Sequence, residues 1–161
     1  MDKKDISTSE DVQLLVHSFY ERALVDDDIG SIFQEQIGMD LKNHLPIICS
    51  FWDSVLLGKN NFKRNPILKH IELAKKVELK KVHFDRWLAL WEVSISFHFT
   101  GPIAEMAWKR AKVMAQLMLY KIEESRKGRL HPMIHISKTG MIMTPRSINW
   151  KVLPFTKYEN R

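Results

Sequence analysis

Along the first 125 residues, large apolar side chains return at every third or fourth position, and only a helix gathers that spacing onto one face. Val12, Leu15, Val16, Phe19, Ala23 and Leu24 form one such stripe, and Leu41, Leu45, Ile48, Trp52 and Val55 a second. Phe84, Trp87, Leu88, Trp91, Ile95 and Phe99 form a third. Ala104, Ala107, Trp108, Ala111, Met114, Met118 and Ile122 form a fourth. No strand-like alternation precedes residue 126. The spacing predicts an all-α body.

Punctuation between the stripes agrees with this. Thr8 or Ser9 can cap the first helix. Asp26-Asp27-Asp28 ends it and caps a short helix with Ile29, Ile32 and Phe33 that stops near Gly38. Asp40 precedes the next helix, which Gly58 closes. Pro46 is tolerated there if it falls in the first turn, and bends the helix if it lies deeper. Residues 59–66 read as loop. Ile67–Leu73 is helical but too short to stand alone, so packing or a ligand must hold it. Thr100-Gly101-Pro102 resets the chain before the last long helix.

Charge divides the chain in two. Residues 126–161 hold eight of the 25 Lys and Arg but only one of the 19 acids, Glu159, for a net +7; residues 1–125 come to −1. A near-neutral body, 1–125, thus carries a basic extension, 126–161, and nucleic-acid binding by the body loses its electrostatic footing. In the extension, Met133–Ile136 and Met141–Met143 flank Ser137-Lys138-Thr139-Gly140 like two strands of a small hairpin, with Ile148–Leu153 a third candidate. The lone cysteine, Cys49, can form no internal disulfide and no Cys-based zinc site. With no apolar leader near Met1 and no membrane-length apolar run, a cytoplasmic protein is expected.

Two histidines stand beside apolar helical stripes. His70 follows Pro66 on the short helix, with Arg64 and Lys69 nearby; His44 shares a face with Ile48 and Trp52. A lone histidine in such company is ordinarily a packed residue. An imidazole beside a greasy slot with cations at its rim also suits haem: iron takes a neutral ring nitrogen, and the propionates take Arg64 or Lys69. Tyr20 and Trp87 would be core aromatics whose O–H and N–H still require partners. A polar diatomic ligand would offer one, each donor adding about 1–3 kcal/mol.

The pieces Phe19-Tyr20-Glu21, Ile32-Phe33, His44-Leu45-Pro46, Phe51-Trp52, Leu56-Leu57-Gly58, Leu68-Lys69-His70 and Phe84-Asp85-Arg86-Trp87-Leu88 occur in this order. Together the chain resembles the group III truncated haemoglobins of bacteria over roughly residues 7–124. The resemblance implies a globin-like two-over-two helical sandwich around haem b. His70 would be the proximal iron ligand, Tyr20, His44 and Trp87 the distal wall, and Phe33, Ile48 and Trp52 porphyrin contacts. Residues 126–161 depart from the family pattern, and nothing carries over to them.

The leading expectation is binding of O2 or another small diatomic, NO or CO, for scavenging or detoxification rather than transport. Nitric-oxide dioxygenase or peroxide chemistry would make the protein an enzyme. Either would call for a separate reductase, because no Gly-rich flavin or nicotinamide fingerprint is present. Two other classes compete: a gas or redox sensor signalling through the basic extension, and a haem-free helical module binding an anionic surface. His131 and His135 lack the helical context and the acid of a zinc motif.

Overall fold

A computed structural model describes residues 2–36, 40–60 and 62–128, together with the backbone of 135–136 and 142–143. Among the described residues of the body there are six helices: α1 (Ser9–Ala23), α2 (Gly30–Gln36), α3 (Leu41–Leu57), α4 (Pro66–Ala74), α5 (Lys81–His98) and α6 (Pro102–Arg126). Beyond them, β1 (His135–Ile136) and β2 (Ile142–Met143) pair antiparallel, His135 opposite Met143. The predicted stop at Gly38 and the third strand candidate lie outside the described residues.

Side chains start and stop the helices where local chemistry requires. Of the two candidate caps for α1, Thr8 is used: its Oγ1 accepts from the Asp11 N–H at 3.2 Å, while the Asp11 carboxylate accepts from the Thr8 N–H at 3.1 Å. Asp11 is itself buried. Burial alone would push its carboxyl up, but the Lys4 ammonium at 2.6 Å and the donors of Ser7 and Thr8 hold it at about 2. Asp26 divides its oxygens. Oδ1 accepts from the N–H groups of Asp28 and Ile29, and Oδ2 takes a two-pronged contact from the Arg86 guanidinium at 2.6 and 2.8 Å. One carboxylate therefore turns the chain into α2 and fastens that corner to α5.

Pro46 lies in the second turn of α3, not the first, and the helix continues through it to Leu57. Proline lacks an N–H, so the Lys42 carbonyl loses its usual helical donor. Gly58 ends α3 at φ 69°, a left-handed conformation that glycine adopts without steric cost. Short α4 is secured by Asn65, whose Oδ1 accepts from Ile67 and Leu68, and by Pro66 in its first turn.

Helix α6 borrows its cap from the far end of the chain. Asp5 accepts from the Ile103 and Ala104 N–H groups at 2.9 and 2.8 Å, and the Thr100 N–H donates to the Lys4 carbonyl. Gly101, at φ 134°, permits that approach: a Cβ there would sit 2.6 Å from the Asp5 carboxyl carbon. Ile6, 1% exposed, anchors the arm in the core.

The helices pack as two pairs, α1 with α3 and α5 with α6, joined by α1 against α5; α4 rests chiefly on α6. Ala104, Ala107 and Ala111 give α6 a smooth face for α5. At the centre Trp91 stacks on Trp52 with centroids 4.5 Å apart and donates its indole N–H to the Ala107 carbonyl at 3.3 Å. Phe19 meets Trp87 and Trp91 edge-on at 5.7 and 5.5 Å. On α5 the core takes Leu90 and Ser94, which lie outside the predicted stripe, whereas Phe84 and Trp87 are only half-buried because they border a cavity. Ser94 enters the interior by returning its hydroxyl to the Leu90 carbonyl at 2.8 Å.

Replacing Asp5 by Ala strips two donors at the start of α6 of their acceptor. Urea unfolding of Asp5→Ala should show a loss of about 1–2 kcal/mol, and Asp5→Asn should recover part of it. Equal stability of Asp5→Ala and wild type would refute the distant cap.

Candidate functional site

Between the two helix pairs and α4 lies a cavity of about 850 Å3, within the roughly 300–1,000 Å3 typical of ligand pockets. Its walls are apolar and aromatic. Phe19, Tyr20 and Phe33 come from α1 and α2, Ile48 and Trp52 from α3, and Trp87 and Trp91 from α5. The two histidines also reach it, His44 from α3 and His70 from α4.

His70 is oriented by its own helix. Its Nδ1 lies 2.8 Å from the Pro66 carbonyl one turn earlier, so Nδ1 carries the proton and Nε2 keeps a lone pair. A carbonyl oxygen has two lone pairs, so that of Pro66 can accept from the ring as well as serve the helix. Burial pushes the imidazole below its ordinary range, and the Pro66 contact only partly opposes this. The ring is therefore neutral near pH 7, the state in which a histidine donates a lone pair to a metal.

Tyr20, His44 and Phe33 form a group of their own. The Tyr20 hydroxyl lies 3.0 Å from His44 Nε2, with the rings edge-on at 5.9 Å, and Phe33 backs Tyr20 at 5.7 Å. Burial also pushes the Tyr20 phenol up, so it stays protonated and can donate. His44 is depressed first by burial and then by the neighbouring His70. Two imidazoles thus approach one cavity, one tied to a backbone carbonyl and one to a phenol. Trp87 stacks parallel to Trp91 at 5.9 Å, and its indole N–H meets no acceptor among the described residues.

At the mouth Arg64, Lys69 and Lys76 are exposed. Lys69 pairs with Glu72 at 3.0 Å, while Arg64 makes no ion pair among the described residues. The structure thus brings all nine sequence candidates to one cavity, with Arg64 rather than Lys69 the freer cation at its rim. Sequence reasoning missed Phe62, Lys76, Met114 and Met118, which also line it. Met114 and Met118 sit in the apolar stripe of α6, where nothing local separates a cavity wall from a packed core. Lys76 lies in the turn beyond α4, where no local spacing relates it to the cavity.

The chemistry fits a planar, largely apolar, iron-bearing macrocycle. A neutral Nε2 would supply a nitrogen ligand for the iron, stiff aromatics flat walls, and mouth cations partners for peripheral carboxylates. Among the described residues no cluster of three or more His, Cys, Asp or Glu could hold a bare metal ion, and no helix is long and apolar enough to cross a membrane.

Fold and cavity together define a globin of the shortened type. Over 125 residues the chain is 31% identical to the group 3 truncated hemoglobin ctb of Campylobacter jejuni, covering 74% of this chain and 96% of that protein. The crystal structure of the group III truncated hemoglobin from Campylobacter jejuni superposes with a TM-score of 0.68 at 27% identity, covering 75% of this chain and 95% of the other. No family model matches. The chain belongs to the group III truncated haemoglobins, and with them to the haem-binding globins.

Both imidazoles titrate below the unfolded value of about 6.5, so below that pH the unfolded chain binds more protons than the folded one. Stability of the haem-free protein should fall as pH drops from about 7 toward 5. Urea midpoints across that range test this, and His70→Gln should flatten the slope. A midpoint that rises on acidification would contradict the burial of neutral rings.

Proposed function

We propose that this chain holds haem b in the cavity, with His70 Nε2 as the iron ligand, and captures O2 or another small diatomic, NO or CO, on the opposite side. The observation that carries the reading is the 2.8 Å contact from His70 Nδ1 to the Pro66 carbonyl, which leaves a single oriented lone pair on a neutral ring. When bound, haem supplies an iron that takes up small gases and exchanges single electrons.

The chain's own residues do the rest. Trp52, Phe33 and Ile48 exclude water and offer flat contact, and Arg64, with Lys69, meets the propionates at the mouth. Tyr20 holds its proton at the distal wall, where the phenol can donate to His44 or to a polar ligand. Trp87 presents a second donor with no competing acceptor. Two donors of about 1–3 kcal/mol each favour slow release, which suits scavenging or detoxification better than transport.

One geometric fact favours an enzymatic variant. A neutral His44 held at 3.0 Å by Tyr20 is a proton acceptor at the distal wall, the group that peroxide chemistry needs. Nitric-oxide dioxygenation would use the same donors. Sustained turnover by either route calls for electrons from a separate reductase. With Cys49 the single cysteine, and free, the chain fits a reducing compartment, and the cytoplasm is our reading of location. Residues 126–161 we read as an appendage to the globin domain of 1–125.

Absorption spectra of ferric, ferrous and CO forms test the assignment. Wild type should show a Soret band with a five-coordinate ferrous or His-ligated CO spectrum. His70→Ala should lose haem or its nitrogen ligation, and imidazole added to His70→Gly should restore the band. A wild-type Soret unchanged by His70→Ala would defeat the assignment. Tyr20→Phe and Trp87→Phe should each speed O2 release by roughly ten- to a hundredfold, measured by stopped flow; unchanged rates in both would remove the donors from the account.

A further inference from the structure

Three cations of the body, Arg64, Lys69 and Lys76, line the cavity mouth, and they belong to a segment of the sequence that is rich in them. Residues 59–81 hold eight Lys and Arg against two acids, Glu72 and Glu78; the remainder of 1–125 holds nine cations against sixteen acids. A body of net −1 is therefore strongly polarised, with a +6 segment running through the loop before α4, α4 itself and the turn into α5. All eight cations are exposed. Lys69, Lys80 and Lys81 pair with Glu72, Glu78 and Asp85, and Lys59 bonds Ser9. Lys63, Arg64, Lys75 and Lys76 make no ion pair among the described residues. Amid them Leu68 is 50% exposed.

Two carboxylates on a bound porphyrin would offset two of these charges and leave the face cationic. We infer that this face, which includes the exposed Leu68 and carries Lys63, Lys75 and Lys76, is the docking surface for an acidic one-electron donor protein. The inference deepens the proposed function and rests on it. Like-signed charge with a small exposed apolar spot beside the pocket is the pattern of a brief, electrostatically steered encounter rather than a permanent interface. Docking here would bring the donor's cofactor beside the mouth. One electron would pass from the reduced donor to the ferric iron, leaving the donor oxidised by one electron with no bond made or broken. Helix α6 ends against the same region, the Arg126 guanidinium donating to the Leu79 carbonyl at 2.8 Å.

The experiment compares reduction of the ferric full-length protein by an anionic reagent, dithionite, with reduction by a cationic one, hexaammineruthenium(II), across ionic strength. The ratio of the two rates should favour the anion at low salt and fall at least fivefold as salt rises, since a Debye length of about 10 Å at 0.1 M screens the face. Lys63→Glu with Lys75→Glu, neither of which lines the cavity, should lower that ratio about tenfold. Lys109→Glu on α6 should not. Acidic poly-L-glutamate should bind wild type in a salt-dependent manner and lose affinity in the same double variant, a readout independent of the iron. A ratio indifferent to the double reversal, or lowered equally by Lys109→Glu, overturns the inference. So does loss of the effect only when Lys138, Arg146 and Lys151 of the extension are reversed, or binding of duplex DNA or anionic vesicles as strong as that of poly-L-glutamate. Failure of the proposed function is seen separately and earlier, as a wild type that takes up no haem.

Discussion

A protein interior ordinarily closes to crystal-like density, whereas here the side chains wall a ligand-sized cavity of some 850 Å3 and must keep its shape. Rigid aromatic stacking makes that tenable. Trp52 on α3 and Trp91 on α5 lie face to face at 4.5 Å, with Trp87 continuing the stack and Phe19 bracing it edge-on. Planar side chains have few rotamers with which to fall inward, so they act as props where Leu or Met would flow into the gap. Each prop has its own restraint: Trp91 is bonded to Ala107, and Trp52, 2% exposed, is wedged between Trp91 and Phe51.

The polar groups at the cavity follow a common design. Each functional side chain is oriented by a partner close to it: His70 by Pro66 within one helical turn, and His44 by the phenol of Tyr20 across the gap. The elements bearing them are secured in turn. Asn65 starts α4, and Asp26 binds the α1–α2 corner to Arg86 on α5. The neighbour of Trp87 in sequence is thus also the clamp that holds the Phe33 side of the cavity.

How much of this the sequence discloses varies with the range of the interaction. The helical stripes at 12–24, 41–55, 84–99 and 104–122 are local periodicities and translate directly into α1, α3, α5 and α6. Gly58 and Pro66 act as their residue types require. What was hidden depends on distant contacts. Nothing near Asp5 announces that it caps a helix about a hundred residues later, and nothing near Asp26 names Arg86 as its partner. Ser94 was passed over because a hydroxyl reads as polar, although its bond to Leu90 makes it fully buried. Pro46 could be placed on a helix but not in a turn, since the start of α3 has no side-chain cap to mark it. At the cavity, His70 and His44 stood out by residue type, whereas the methionines of α6 could not, since apolar spacing is the same for a wall and for a core.

The clasp between Asp5 and the start of α6 also bears on how the polypeptide matures. A ribosome makes Asp5 nearly a hundred residues before its two N–H partners, those of Ile103 and Ala104. Until then α1 and α3 can associate, but the amino-terminal arm has no seat. Loop closure over so long a span is entropically slow and leaves apolar surface bare in the interval. The nascent globin therefore completes its body only after most of it has left the exit tunnel, and its final latch is a segment synthesised among the first.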